Sequence, residues 1–153
     1  MQVIGFNLTR IAAERELIIK PANPNVTIQF TNVEKEKIDL LKENEAIRIF
    51  FRFSIVYGDV AEPETEDKSK SQKTEKQGEI SFEGAIVLSA SKEESKDLQK
   101  AWKKKQLPEH LRFPLYNTIL KKCSIKAASL EEEIGLPSHV PIPQLQPKPE
   151  TDN

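Results

Sequence analysis

The chain has 153 residues, 37% hydrophobic and 31% charged, with a net charge of −1. That length suits one domain with a real core, and the composition is that of a globular protein with polar appendages. The single cysteine excludes an internal disulfide.

The near-zero net charge conceals segregation. Residues 1–67 carry 8 basic and 12 acidic side chains, residues 92–126 carry 10 and 4, and residues 127–153 carry 1 and 5. A basic helical half is therefore expected beside a mildly acidic strand half. The lysines of the basic half are either a solvated surface or a contact surface for phosphate or an acidic protein.

At the start of the chain, Ile4, Phe6 and Leu8 alternate with Gly5, Asn7 and Thr9, the period of a half-buried strand. The apolar residues Ile11, Ala13, Leu17 and Ile19 continue it irregularly, which predicts a long strand with a bulge or bend. Pro21 and Pro24 break it, with Asn23 and Asn25 as turn residues. Val26, Ile28 and Phe30 open a second strand, expected to reach about Lys37. Ala46 to Tyr57 is the strongest strand: Ile47, Ile49, Phe51, Phe53, Ile55 and Tyr57 share one face, and Phe50 and Val56 keep the other from being purely polar. Residues 62–78 lack the apolar side chains needed to offset ordering entropy until the next strand approaches, and read as a flexible loop. Ile80, Phe82, Gly84, Ile86 and Leu88 form the fourth strand.

Ser91 is the expected N-cap of a short helix to about Lys105, with Glu93 and Glu94 in its first turn and Leu98, Ala101 and Trp102 as its apolar stripe. Leu107 to Glu109 form an elbow. Leu115, Ile119, Cys123, Ala127, Leu130 and Ile134 then recur at helical spacing. This second helix is expected to hold Pro114 in its first turn, to stop at Gly135 and to run about 20 residues. It is too charged to span a membrane. Glu131, Glu132 and Glu133 occupy its last turns, where the helix dipole disfavours negative charge. They require an external cation or an earlier end to the helix. After Pro137 the chain is proline-rich and extended, with residues 145–153 expected to be a disordered tail. The fold class is α+β: a four-stranded antiparallel sheet followed by a short and then a long helix, in one domain spanning 1–144.

The opening FNLTRIAAERELIIKPANP, the helix start HLRFPLYNTILKK and the segment LPSHVPIP together resemble the SecB family of export chaperones, over roughly residues 3–58 and 79–144. The resemblance implies self-association into dimers and tetramers, and apolar grooves between sheet and helices that bind unfolded polypeptide without nucleotide or metal. Family members are typically acidic, and that acidity serves docking to the motor ATPase SecA. The near-neutral charge and basic helical region of this chain argue against such a partnership.

No enzyme motif emerges. His110, His139 and Cys123 lack a recognisable metal-ligand spacing, no glycine-rich phosphate loop is present, and no acid–base pair can be named, so neither catalysis nor a cofactor is expected. Cys123 reads as a buried small hydrophobe. The aromatic set Phe30, Phe51, Phe53, Tyr57 and Phe82 is either a sheet core or part of a peptide-binding groove. In the second case Phe51, Phe53, Tyr57, Phe82, Trp102 and Tyr116 are the candidate polypeptide-binding residues. Lys103, Lys104 and Lys105 with Lys121, Lys122 and Lys126 are the candidate RNA-contacting residues of a second reading, a structural or accessory protein of the large ribosomal subunit that contacts rRNA by its backbone and shape. A third reading, an antitoxin-associated chaperone, requires a dedicated client that the sequence does not show. No signal peptide is visible at the N-terminus, and a cytoplasmic location is expected.

Overall fold

The computed structural model describes residues 1–21, 23–36, 44–58 and 76–141. Four strands, β1 (Gln2–Arg15), β2 (Asn23–Glu36), β3 (Glu45–Gly58) and β4 (Lys76–Ala90), precede two helices, α1 (Lys92–Trp102) and α2 (Glu109–Ile134). The strands form one antiparallel sheet in the order β1-β4-β3-β2, so β1 and β2 are its edges. The expected α+β architecture is what the chain adopts. The greater part of the 62–78 loop and the 145–153 tail lie outside the described residues, but Lys76, Gln77 and Gly78 already belong to β4.

Strand alternation places the core. Ile47, Ile49, Phe51, Phe53, Ile55 and Tyr57 of β3 are buried with Ile80, Phe82, Ile86 and Leu88 of β4, under Leu98 of α1 and Leu111, Leu115, Ile119, Cys123 and Ala127 of α2. Burying such side chains contributes roughly 1.5–3 kcal/mol each, the main force holding the helices to the sheet. On the opposite face, Phe50 and Val56 are half-buried among ion pairs, including Arg48 to Glu36 at 2.7 Å and Arg52 to Glu79 at 3.6 Å.

Breaks in the apolar period become breaks in register. Phe6 and Leu8 face the helices opposite Ile86 and Gly84, and the register shifts between Leu8 and Arg10. The extra residue, Thr9, returns Ile11 and Ala13 to the same face, opposite Phe82 and Ile80. The same device acts in β2, where the shift between Phe30 and Asn32 keeps Val33 on the core side. Gly84 is required where it pairs with β1: a Cβ there would collide with the Asn7 carbonyl and stand 3.0 Å from the Phe51 ring.

Several boundaries differ from expectation. β1 ends at Arg15, leaving Leu17 and Ile18 outside it at 90% and 82% exposure. Pro24 does not precede β2 but pairs with Tyr57 inside it, which an edge strand allows because its outward N–H has no ladder partner to lose. α1 stops at Trp102, and the chain turns through Lys105 at φ 56. α2 has 26 residues and starts at Glu109, so Pro114 lies inside it and removes the bond that its N–H would have made to the carbonyl of the exposed His110.

The buried positions of α2 are Leu111, Leu115, Ile119, Cys123, Ala127 and Glu131, always four residues apart. Each step overshoots a full turn by about 40°, so the buried line winds about 200° round the helix, following a twisted sheet. The expected stripe ends in Leu130 and Ile134, half-buried and packed against the core, and Glu131, which it did not include, takes the buried position beside them. A cation, Arg15, stands at this end and bonds the backbone carbonyls. Its Nη1 donates to the carbonyls of Ile134 and Gly135, both at 2.9 Å, at the negative end of the helix.

Candidate functional site

The sequence-derived aromatic residues do not converge on an open surface. Phe51, Phe53, Tyr57 and Phe82 are at most 1% exposed, beneath α2. As the protein is folded here they are core, because the alternation that puts them on one face puts that face against the helices. Phe53 and Phe82 stack at 5.7 Å. Trp102 is half-buried at the end of α1, and Tyr116 is half-buried on α2, stacked at 5.2 Å on Phe30 of β2. Tyr116 therefore lies over the β2 edge and Trp102 apart from it.

An open apolar groove lies at the other edge. A groove of about 780 Å³ runs between β1 and the second half of α2, lined by Phe6, Leu8 and Ile11 on the strand and by Ile125 and Leu130 on the helix. Phe6 stacks on Phe51 at 5.4 Å, so the wall of the groove continues directly into the core. Ile11 is 49% exposed and Ile125 72% exposed. Asn7 also lines the groove although strand alternation directs it to the opposite face, so the groove opens over the strand edge itself. There the backbone of β1 offers N–H and C=O groups to a further strand.

Its charged groups are Lys122, Lys126 and Glu133, all exposed and all on the helical wall. The Lys122 ammonium stands 5.3 Å from the Phe6 ring centroid, a cation–π distance that holds it at the strand. Arg15 carries the far end: its Nη2 donates to the Leu17 carbonyl at 3.0 Å while Nη1 holds the end of α2, which sets the exposed Leu17 and Ile18 beside that end.

The six lysines considered for RNA contact are all exposed but do not form one patch. Lys103, Lys104 and Lys105 lie before α2 begins, whereas Lys121 lies about 18 Å along its axis from Glu109. Lys122 and Lys126 belong to the apolar groove instead. The residues of the groove that composition alone did not mark, Ile11, Ile125 and Leu130, carry one usable signal. Ile125 falls off the buried line of α2 and, at 72%, is the most exposed of the large hydrophobic residues of that helix, ahead of Phe113 and Leu120.

Among the described residues, no group of three or more His, Cys, Asp or Glu side chains could hold a metal, and no helix is long and apolar enough to cross a membrane. Cys123 is buried, and its burial pushes the thiol up to about 11, the state of a packing residue and not of a nucleophile.

No protein-family model matches the chain, and no curated protein matches it. Among solved structures, a SecB-like chaperone of Mycobacterium tuberculosis, in complex with a peptide from the HigA1 antitoxin, is similar at TM-score 0.45 and 18% identity, over 95% of this chain and 91% of that one.

Proposed function

We propose that the protein is a SecB-like polypeptide-binding protein that holds extended, apolar segments of non-native chains in the groove between β1 and α2. The observation that carries this reading is the pairing of an apolar wall with a strand edge that is unpaired among the described residues, in one groove, with Ile11 and Ile125 turned to solvent. Backbone bonds to β1 supply affinity for any extended chain, and alternate side chains of that chain fall on Phe6, Leu8 and Ile11. Such a site needs no nucleotide and no metal. The resemblance of the opening strand and of the helix start to the SecB family supports the same use.

Two measurements test it: fluorescence anisotropy with a labelled, extended apolar peptide, and suppression of light scattering by an aggregating denatured protein. Ile11→Asp and Ile125→Asp are expected to lose both activities with an unchanged circular dichroism spectrum, because both side chains are already exposed. Tyr116→Ala, at the opposite edge, is expected to retain them. Wild-type binding by both aspartate variants would sink the proposal.

A further inference from the structure

The groove is apolar but not electrically uniform, and its polarity follows the helix. Lys122 and Lys126 stand one turn apart on α2, and Glu133 follows Lys126 by about two turns on the same wall. The ammonium at Lys122 is fixed at the Phe6 end by the ring beneath it. The carboxylate of Glu133 lies at the other end, one residue before the Ile134 carbonyl that Arg15 binds. Between Lys126 and Glu133 the lining residues are Ser129 and Leu130, without charge, and Ile125 lies between the two lysines.

We infer that this groove, on the reading of it as a polypeptide site, selects dipolar segments: an apolar centre with an acidic residue at one end and a basic residue at the other. The spacing follows from the helix rise. Lys126 and Glu133 are about 10 Å apart along the axis and Lys122 and Glu133 about 16 Å. An extended chain advances about 3.3 Å per residue, so the two charges of the bound segment stand three to five residues apart. A segment with two acidic ends meets Glu133, and one with two basic ends meets Lys122 and Lys126. In either case one like-charge contact replaces an attractive one. The apolar centre supplies the affinity, and the charges supply the choice among segments.

The test uses the full chain and four labelled peptides with the same apolar centre, carrying acidic and basic ends, two acidic ends, two basic ends, or two neutral ends, followed by anisotropy at low and high salt. The dipolar peptide is expected to bind about fivefold tighter than either like-charged peptide at low salt, with the difference shrinking in 0.5 M NaCl (roughly a 4 Å Debye length). Glu133→Lys is expected to move the preference to the diacidic peptide, and Lys122→Glu with Lys126→Glu to the dibasic one. All three residues are exposed, so the fold tolerates these changes. Equal binding of all four peptides, or a preference that neither variant moves, would overturn the inference while leaving the polypeptide site standing. Failure of every peptide, the neutral one included, would remove the site and the inference together.

Discussion

Glu131 on α2 and His139 in the segment beyond it are joined twice. The carboxylate accepts the His139 backbone N–H at 2.9 Å, and its other oxygen lies 2.6 Å from His139 Nδ1. A carboxylate only accepts, so Nδ1 carries the proton. The Tyr57 hydroxyl donates to the same carboxylate, and burial, with Glu131 beside it, pushes the Tyr57 phenol far up. Glu131 is 2% exposed. A glutamate in the core thus ties the end of the inner strand β3, the end of the long helix and the proline-bearing segment at one point.

Because Glu131 satisfies three donors that water does not reach, Glu131→Ala is expected to destabilise the fold by about 3 kcal/mol or more. Tyr57→Phe removes one donor and leaves no orphan beyond part of a carboxylate, and is expected to cost about 1–2 kcal/mol. Urea unfolding of the two single variants and of the double variant checks this. The double variant should fall short of the sum, since both changes remove the same contact. Full additivity would mean that the Tyr57–Glu131 contact contributes nothing.

Arg15→Ala is expected to act at a distance from its own strand. Its guanidinium bonds the carbonyls of Ile134, Gly135 and Leu17, so its loss frees the last turn of α2 and the Leu17–Ile18 turn together. The stability change is about 1 kcal/mol, kept modest by the exposure of the site. Hydrogen exchange resolves it: the Leu136 amide, which donates to the Glu131 carbonyl at 2.9 Å, should exchange faster in the variant. Unchanged exchange at Leu136 would show that Gly135, at φ 70, terminates the helix without help.

The Cys123 thiol, pushed by burial up to about 11 from 9.0, gives a pH dependence of definite sign. The folded state favours the neutral thiol, so its contribution to stability is intact below pH 9 and is lost as the pH rises through 11. At pH 8 a thiol-specific reagent should react slowly with native protein and fast in urea, with the native rate tracking unfolding. Rapid modification of the native protein at pH 8 would contradict a buried Cys123.

Strand and helix order were legible because each element keeps its own period. Even the bulge of β1 is written in the spacing, as the step from Leu8 to Ile11 is three residues where two are expected. The site was less legible, for two reasons. The aromatic residues that suggested a groove lie on the stronger face of β3 and β4, and the strongest apolar face of a sheet is the one its own helices cover. The groove depends instead on which strand is the outer edge, a matter of pairing order that no local pattern records. Glu131 was hidden for a related reason: helical spacing leaves it beside the apolar stripe, and only the winding of α2 against a twisted sheet brings it into the core. The cation at the end of α2 was also out of reach, because Arg15 is 119 residues from Ile134 in sequence.

The two helices end differently, and the difference predicts a stabilising change. After α2 the left-handed position is occupied by Gly135, whereas after α1 it is occupied by Lys105 at φ 56. The bonds there, from the Gln106 amide to the Ala101 carbonyl and from the Lys105 amide to the Trp102 carbonyl, are those of a helix stop that favours glycine. A side chain at that φ is strained against its own backbone by roughly 1 kcal/mol. Lys105→Gly is therefore expected to raise stability by about 0.5–1 kcal/mol despite the added freedom of the unfolded chain. Lys105 also follows Lys103 and Lys104, so part of any gain could come from relieved repulsion. Lys105→Ala separates the two causes, because it removes the charge but keeps the Cβ. A gain with glycine and none with alanine in urea unfolding assigns the effect to the backbone; equal gains would assign it to charge.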